Sequence, residues 1–265
     1  MIILNGWYGR LGNNIIQLSN IINIAIAYKH NIIFNVKHRY FDLSVITNYF
    51  NKYNNNEIIT DEYKFFYISK LPCPNNIFMQ NIEEKNKILQ KSFLINNINK
   101  LPENDLVIHI RSGDIFSSNP HPRYIPPPLS YYISTINECK CEKIHIVCED
   151  TKNPIVNKLL ELYKNAVYQK NTLEKDISII LGSTNIIFST GTFIPALMLL
   201  SKNVKYIYGF PVQKNFKELQ DIYKMLLPLK KTNMVKSEKA PDYYKITDPW
   251  KNTKKQRDYI LTYGL

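Results

Sequence analysis

The sequence has 265 residues, enough for one large domain or two small ones with a sizeable core. A hydrophobic fraction of 45% and a charged fraction of 21% indicate a globular protein and exclude a disordered or fibrous one. The net charge of +12 favours an anionic partner, which leaves nucleic acid, an acidic membrane surface and a phosphorylated ligand as alternatives.

The N-terminal third begins with a predicted β-α-β unit. Residues 2–4 form a short apolar strand, and residues 9–14 are predicted to be a turn. From Ile15 onward the apolar residues recur at helical spacing, and residues 32–36 make a second strand. The pattern weakens between residues 42 and 99, where only a helix over about 83–98 is predicted.

After Pro102 strands and helices alternate regularly, which predicts a parallel sheet with helices on both faces. The predicted strands are 107–111, 144–148, 185–189 and 205–209. The predicted helices are 129–137, one with Pro154 in its first turn, one capped by Thr172, 193–200 and 216–226. We therefore expect an α/β protein with an N-terminal domain over 1–100, a C-terminal domain over 101–228 and a Lys-rich extension over 229–265.

Polar clusters follow several of the predicted strands, where ligands bind in open parallel sheets. The first is Gly9-Arg10-Leu11-Gly12-Asn13, in which glycines permit close approach and a helix N-terminus offers N–H groups to an anion. The spacing is neither that of a dinucleotide fingerprint nor that of a Walker loop. A tight turn capped by Asn13 explains this segment equally well.

The second cluster is His109-Ile110-Arg111-Ser112-Gly113-Asp114, at the end of a predicted strand. The planar guanidinium of Arg111 suits bidentate binding of phosphate oxygens. Gly113 allows a sharp turn, and Asp114 could hold Arg111, cap the next segment or act as a base. For His109 we favour a structural role over proton transfer.

Two further clusters lie at the ends of later strands. The adjacent carboxylates of Glu149 and Asp150 could receive ribose or acceptor hydroxyls, or could begin the helix at Pro154. The run Ser189-Thr190-Gly191-Thr192-Phe193 forms a cradle for an anion or nucleoside, or simply a capped strand-to-helix turn. The recurrence of such clusters favours a cleft that binds a phosphorylated nucleotide.

These motifs resemble those of inverting fucosyltransferases that use GDP-fucose, especially the α1,2-fucosyltransferase group (glycosyltransferase family 11) and its α1,6- and protein O-fucosyltransferase relatives. The Gly-x-Leu/Phe-Gly-Asn-Gln turn of that family is matched at residues 9–14, and its His-x-Arg-x-x-Asp motif at residues 109–114. Its Ser/Thr-rich strand-to-helix turn is matched at residues 189–193. The order of the motifs covers roughly residues 2–201. Ser112 stands where the α1,2 and α1,6 groups commonly have a second arginine, and Asn14 where they have glutamine.

The resemblance implies a GT-B-like fold, with two Rossmann-like domains facing across a cleft, and metal-independent transfer of L-fucose from GDP-fucose to a glycan hydroxyl. It implies that Arg111 holds the diphosphate and that Asn13 reaches it, so both are expected catalytic residues. For the base the sequence offers Asp114 first, then Glu149 or Asp150. The donor-binding residues that we expect are Gly12, Asn13, His109, Arg111, Glu149, Asp150, Ser189, Thr190, Gly191, Thr192 and Phe193. The alternatives are another GDP-linked deoxyhexose, or a basic nucleic-acid-binding protein without catalysis.

The remaining sequence features suggest a soluble protein in a reducing compartment. Four cysteines without zinc-site spacing indicate ordinary thiols rather than a disulfide framework, and the pair Cys139 and Cys141 is only a weak metal or redox signal. The first residues are too short for a signal peptide, and no apolar run approaches a membrane span. We therefore expect a cytoplasmic location and no nucleic-acid partner, and leave peripheral membrane contact and oligomeric state open.

Overall fold

The computed structural model describes residues 1–53, 58–60, 65–67, 81–213, 215–226, 231–234 and 241–265. Backbone contacts divide the chain into two compact units. Unit 1 comprises Met1–Asn97, Thr192–Ser201 and Asp221–Leu226. Unit 2 comprises Ile98–Gly191, Lys202–Gln220 and Leu227–Leu265, so it includes the residues predicted to form a C-terminal extension.

Unit 1 contains a parallel sheet of three described strands in the order β2-β1-β3. Strand β1 (Ile2–Leu4) pairs with β2 (Ile32–Phe34) and with β3 (Ile59–Thr60). The central strand is apolar and buries Ile2 and Leu4 completely, as expected for a strand with neighbours on both sides. Helix α1 (Leu11–Tyr28) connects β1 to β2 and is buried along most of its length.

Two other helices of unit 1 pack together, α2 (Leu43–Phe50) and α3 (Ile82–Ser92). Asp42 caps α2 by accepting a hydrogen bond from the backbone N–H of Ser44. Helix α3 ends where Phe93 turns extended and forms an antiparallel bridge with Phe41, so the helix predicted over 83–98 is too long.

Unit 2 contains a parallel sheet of six described strands in the order β6-β5-β4-β7-β8-β9. Its central strand β4 buries Leu106, Val107 and Ile108 completely, which reflects cover on both faces. The strands are β4 (Asp105–His109), β5 (Lys143–Val147), β6 (Ala166–Tyr168), β7 (Asn185–Phe188), β8 (Tyr206–Gly209) and β9 (Lys231–Met234).

Helices alternate with these strands. They are α4 (Leu129–Cys139), α5 (Pro154–Leu162), α6 (Leu173–Gly182), α7 (Phe193–Leu197), α8 (Lys217–Leu226), α9 (Pro241–Thr247) and α10 (Lys254–Thr262). Helix α7 lies in unit 1, and α8 passes from unit 2 into unit 1. The predicted α/β class with parallel sheets is confirmed. Strands β3, β6 and β9, of two to four residues, were not predicted.

The C-terminal residues of unit 2 pack into its core. Tyr243 and Trp250 belong to the same buried cluster as Ile115, and the Trp250 indole N–H donates to the Ile115 carbonyl over 2.6 Å. Thr253 and Gln256 form a capping box at the start of α10. None of the described helices is both long enough and apolar enough to cross a membrane.

Candidate functional site

Arg111 lies just beyond the carboxyl end of β4. The strand was predicted to continue to Arg111 but ends at His109, two residues earlier. The reason is that the backbone N–H of Arg111 donates to the side-chain hydroxyl of Ser189 over 2.8 Å instead of to a neighbouring strand. Arg111 and Ser189, separated by 78 residues in the sequence, are therefore neighbours at one edge of the unit 2 sheet.

The guanidinium of Arg111 is held on two sides. Its Nε and Nη2 donate to the two carboxylate oxygens of Asp114 over 3.2 and 2.8 Å. Its central carbon lies 3.8 Å from the ring centroid of Tyr124, a close cation–π contact. Burial alone would lower the pKa of Arg111, but the hydrogen bonds and charge of Asp114 outweigh it and raise that pKa. Asp114 thus orients a permanent cation whose side chain stays 21% exposed.

Gly191 leaves room for the third nitrogen of this guanidinium. A Cβ atom built at Gly191 would lie 2.5 Å from Nη1 of Arg111, closer than a Cβ atom approaches any atom to which it is not bonded. The backbone of Gly191 has φ of +101°, which residues other than glycine rarely adopt. Glycine is therefore required here for two reasons: the backbone has a positive φ, and Arg111 lies too close for a side chain at this position.

Asp150 is engaged in the turn that follows β4. Its Oδ1 accepts from the Ser112 hydroxyl over 2.5 Å and from the backbone N–H groups of Gly113 and Lys152 over 3.3 and 3.1 Å. Burial would raise the pKa of Asp150, but these bonds and the nearby Lys152 ammonium lower it. Asp150 therefore joins the ends of β4 and β5 as a carboxylate.

Glu149, the other predicted carboxylate of this pair, is exposed. It lies beside Gly113, where a built Cβ would come within 2.3 Å of its Oε2. Gly113 has φ of +54°, so the sharp turn predicted there is present. Asp150 and Glu149 thus differ in exposure: Asp150 is partly buried in the loop that it fixes, whereas Glu149 is exposed and lies against Gly113.

Asn153 is a residue of this edge that the sequence analysis missed. It is completely buried, its Nδ2 donates to the carbonyl of Arg111 over 3.1 Å, and its backbone N–H donates to the Ser112 hydroxyl over 3.0 Å. Its Oδ1 caps α5 by accepting from the N–H of Ile155. Asn153, rather than Asp150, is therefore the cap. An asparagine directly before a proline at a helix start was the signal that could have identified it.

His109, the last residue of β4, is partly buried. Burial and the adjacent charge of Arg111 lower its pKa to about 3. An imidazole with this pKa is neutral at physiological pH and is a very weak base. The backbone carbonyl of His109 accepts from the N–H of Ser189 over 3.1 Å, a bond that does not involve the imidazole, so a structural role for the His109 side chain stays a prediction.

In unit 1, Gly12 and Asn13 lie within the first turn of α1, so the turn predicted over 9–14 is wrong from Leu11 onward. A Cβ at Gly12 would lie 2.8 Å from the backbone of Phe193, so this glycine permits close packing of α1 against the start of α7. The Asn13 side-chain oxygen accepts from the Thr192 hydroxyl over 2.6 Å. Gly12, Asn13, Thr192 and Phe193 are thus neighbours within unit 1.

The structure therefore divides the predicted cradle over residues 189–193. Ser189, Thr190 and Gly191 belong to unit 2, with Arg111, whereas Thr192 and Phe193 belong to unit 1, with Gly12 and Asn13. Thr190 is partly exposed. Within unit 2 the sheet edge collects Arg111, Asp114, Glu149, Asp150 and the residues 189–191.

Cys139 and Cys141 are free thiols of intermediate burial. Burial raises the pKa of Cys139 and Cys141, which makes both thiols weak nucleophiles. Across the part of the chain that the structure describes, no three His, Cys, Asp or Glu side chains form a group that could hold a metal ion. Metal-independent chemistry stays a prediction. Cys73 lies outside the described residues.

No protein-family model matches this sequence, and no curated protein sequence matches it. Among solved structures, the chain is similar to POFUT1 in complex with GDP, with 10% identity and a TM-score of 0.45 over 78% of this chain and 97% of that one. It is also similar to the E. coli heptosyltransferase WaaC with ADP, with 9% identity and a TM-score of 0.42 over 89% and 94% of the two chains. The NodZ α1,6-fucosyltransferase soaked with GDP-fucose shows 9% identity and a TM-score of 0.39 over 76% and 92%. These neighbours are GT-B glycosyltransferases, and at such low values they assign neither an activity nor a ligand to this chain.

Proposed function

We propose that this protein is a glycosyltransferase that transfers a sugar, foremost L-fucose, from a GDP-linked donor to a hydroxyl of a glycan, with inversion and without a metal ion. One observation carries the proposal: an oriented, permanently charged Arg111 guanidinium at the carboxyl end of a central parallel strand. Such a position is where open α/β sheets bind ligands, and such a group is suited to phosphate oxygens.

Arg111 would act on the leaving group. The acceptor hydroxyl oxygen forms a bond to the anomeric carbon while the bond from that carbon to the diphosphate oxygen breaks. The electron pair of the broken bond stays on the diphosphate, whose growing negative charge a fixed cation stabilises. Asp114 and the Tyr124 ring hold the guanidinium in place beforehand, so little reorganisation is needed at the moment of transfer.

The proton of the acceptor hydroxyl needs an acceptor of its own. Asp114 is ion-paired with Arg111 over 2.8 Å, and the pKa of Asp150 is lowered by its hydrogen bonds, so both are poor bases. Glu149 is the exposed member of the three carboxylates and takes this role in the proposal. The sequence analysis placed Asp114 first among the candidate bases, whereas the proposed mechanism assigns this role to Glu149.

The first test is binding of nucleotides by thermal shift. Only ligands that bind the folded state raise its melting temperature, so GDP and GDP-fucose should stabilise the protein and UDP should not. Stabilisation by UDP alone would overturn the donor assignment. Salt-dependent binding of random RNA without any response to GDP would instead favour the nucleic-acid alternative.

The second test is Arg111→Ala, compared with Arg111→Lys and with Arg257→Ala as an arginine elsewhere in unit 2. Arg257 contacts the carbonyl of Asn252 and serves as a matched loss of one positive charge. We expect Arg111→Ala to reduce donor turnover by about 100-fold or more, as for other lost donors to a developing oxyanion. The lysine variant keeps the charge without the planar geometry and should recover only part of the rate. Near-normal turnover of Arg111→Ala would contradict the mechanism.

A further inference from the structure

The carboxyl ends of the unit 1 strands carry a second cluster of unusual side chains, and these are aromatic rather than charged. Trp7 and Tyr8 follow β1 and are both partly exposed, as is Tyr67. The ring centroid of Tyr8 lies 5.1 Å from that of Phe66 and 5.9 Å from that of Tyr67. The Trp7 ring packs edge-on against His38 at 4.7 Å.

Polar contacts fix these rings in place. The indole N–H of Trp7 donates to the carbonyl of Lys37 over 2.9 Å, and the hydroxyls of Tyr8 and Tyr67 are 3.2 Å apart. The backbone of Tyr8 is bound at both polar groups: its N–H donates to the Gln17 side chain over 2.8 Å, and its carbonyl accepts from the Asn14 side chain over 3.1 Å. Because the rings are ordered beforehand, a ligand that stacks on them would lose little entropy in ordering them.

The side chains under this loop are amides rather than apolar groups. Asn14 and Gln17 are 7% and 0% exposed on α1, and each makes a hydrogen bond to the backbone of Tyr8; the Asn14 Oδ1 also lies 3.4 Å from Nε2 of His38. Burial of two amides to hold a surface loop indicates that the loop's shape matters, since buried polar groups cost free energy unless they are satisfied. A loop held only for packing would need no such support.

The charged residues near this surface are mainly basic. In the segments that follow β1 and β2, residues 5–10 and 35–42, the charged residues are Arg10, Lys37, Arg39 and Asp42, the cap of α2. His38 contributes no charge at neutral pH because burial lowers its pKa to about 4. The surface therefore offers aromatic rings, hydroxyls and amides to a ligand that is neutral or acidic.

We propose that Trp7 and Tyr8 form a saccharide-binding surface on unit 1, against which a pyranose ring of the acceptor glycan stacks. A pyranose presents an apolar C–H face that packs on an aromatic ring, while its hydroxyls bond to polar groups at the ring's edge. Here the paired hydroxyls of Tyr8 and Tyr67 supply that edge. This proposal rests on the glycosyltransferase activity proposed above, and it names the class of acceptor for that activity.

Tryptophan fluorescence tests the surface without any need for turnover. The chain contains two tryptophans, and Trp250 is only 1% exposed in the core of unit 2, so a contact-dependent change reports on Trp7. The titrants are methyl β-galactoside, methyl β-glucoside, methyl β-glucuronide and N-acetyllactosamine, with sorbitol as an open-chain control. We expect a saturable change with at least one pyranoside, no change with sorbitol, and loss of the signal in Trp7→Phe. No saturable change with any pyranoside, or an unaltered change in Trp7→Phe, would overturn the proposal.

Comparison of methyl β-glucuronide with methyl β-glucoside tests whether the acceptor is acidic or neutral. A stronger response to the glucuronide than to the glucoside, weakened by salt, would indicate an acidic acceptor held by the basic residues of the loops. An equal response to both would indicate a neutral one. Either result supports stacking on Trp7.

Steady-state kinetics with the best pyranoside separates this surface from the donor site. We expect Trp7→Ala to raise the acceptor KM about 10-fold or more while GDP affinity and donor hydrolysis stay unchanged, since stacking on one aromatic ring is worth a factor of this order. Tyr49→Ala is the matched control, because Tyr49 is an exposed aromatic residue of unit 1 on α2, bonded to Glu84. Equal losses of acceptor and GDP affinity in Trp7→Ala would contradict the proposal. If the wild-type protein fails to bind GDP, the donor assignment fails, and the fluorescence titration still decides the saccharide surface.

Discussion

The two sheets of this protein end in chemically different edges. In unit 2 the strands end in a cation, three carboxylates and small hydroxyl residues, with the Arg111 guanidinium bonded to Asp114 over 2.8 Å. In unit 1 the residues that follow β1 and β2 include aromatic rings and amides, and residues 1–41 contain no carboxylate. A charged edge suits a diphosphate, whereas an aromatic edge suits the apolar face of a sugar. The same parallel-sheet geometry thus presents two different binding chemistries.

Each of the two edges contains a histidine that burial keeps neutral at physiological pH. The pKa of His109 is lowered to about 3 and that of His38 to about 4. At the charged edge the imidazole adds no positive charge beside the Arg111 guanidinium at neutral pH. At the aromatic edge it leaves the imidazole as one more ring, packed at 4.7 Å from Trp7.

The strongest test of the charged edge is Gly191→Ala. The new Cβ would lie 2.5 Å from Nη1 of Arg111 at a backbone φ of +101°, so the guanidinium must move. We expect GDP affinity to fall about 10-fold or more and stability to fall by about 1–3 kcal/mol, the usual cost of a strained backbone. Isothermal titration with GDP and urea unfolding measure the two effects.

Gly264→Ala is the control for this prediction. Gly264 has φ of +72°, and a Cβ there would lie 3.1 Å from the Ser130 hydroxyl, away from Arg111. It should lose stability from the same backbone strain and keep its GDP affinity. Equal GDP affinity in the two variants would mean that Gly191 does not position Arg111.

Asn153→Ala tests how the charged edge is supported. The change leaves the Arg111 carbonyl without the amide that now donates to it over 3.1 Å and removes the cap of α5. We expect a loss of about 2–3 kcal/mol in the free energy of unfolding, the sum of a lost cap and a lost buried hydrogen bond. Urea unfolding measures this loss.

Thr172→Ala provides the comparison, because the Thr172 hydroxyl caps α6 by accepting from the backbone N–H of Lys175. That variant should lose about 1 kcal/mol, as expected for a cap alone. A loss in Asn153→Ala no larger than in Thr172→Ala would show that the link to Arg111 contributes nothing.

The smallest expected effects are the pH-dependent contributions of His109 and His38 to the free energy of unfolding. Both have folded-state pKa values below the ordinary value of 6.5, so below about pH 6.5 the unfolded chain binds protons that the folded protein does not. Their contribution to stability is therefore complete above pH 6.5 and is lost as the pH falls. Between pH 7 and 5 His109 should account for up to about 2 kcal/mol, and the partly exposed His38 for less, because solvent screens its interactions.

Urea unfolding of the wild-type protein, His109→Asn and His38→Asn across this pH range measures these contributions. Each variant should show a shallower loss of stability on acidification than the wild-type protein. Below pH 4 the His109 contribution should continue to fall while that of His38 levels off, because the pKa of His109 is the lower of the two. Unchanged slopes in both variants would contradict the neutral state of these residues.

Local patterns predicted much of the fold. Alternating strands and helices after Pro102 indicated a parallel sheet, and Thr172 caps its helix as predicted. Element ends were less accurate, because contacts distant in sequence decided them. Helix α3 stops where Phe93 bridges to Phe41, and β4 stops where the Arg111 N–H turns to Ser189.

The sequence by itself determined the α/β class and the placement of Arg111, Asp114, Glu149 and Asp150 near strand ends, since periodicity and turn residues are local properties. Only the tertiary structure decided what each group does. Asp114 orients Arg111, Asp150 fixes a turn, and Asn153 supports the Arg111 backbone across 42 positions of the chain. Asn13 meets Thr192 across 179 positions, and Tyr8 meets Tyr67 across 59. No local pattern encodes such partners, because they meet only after the sheets have formed.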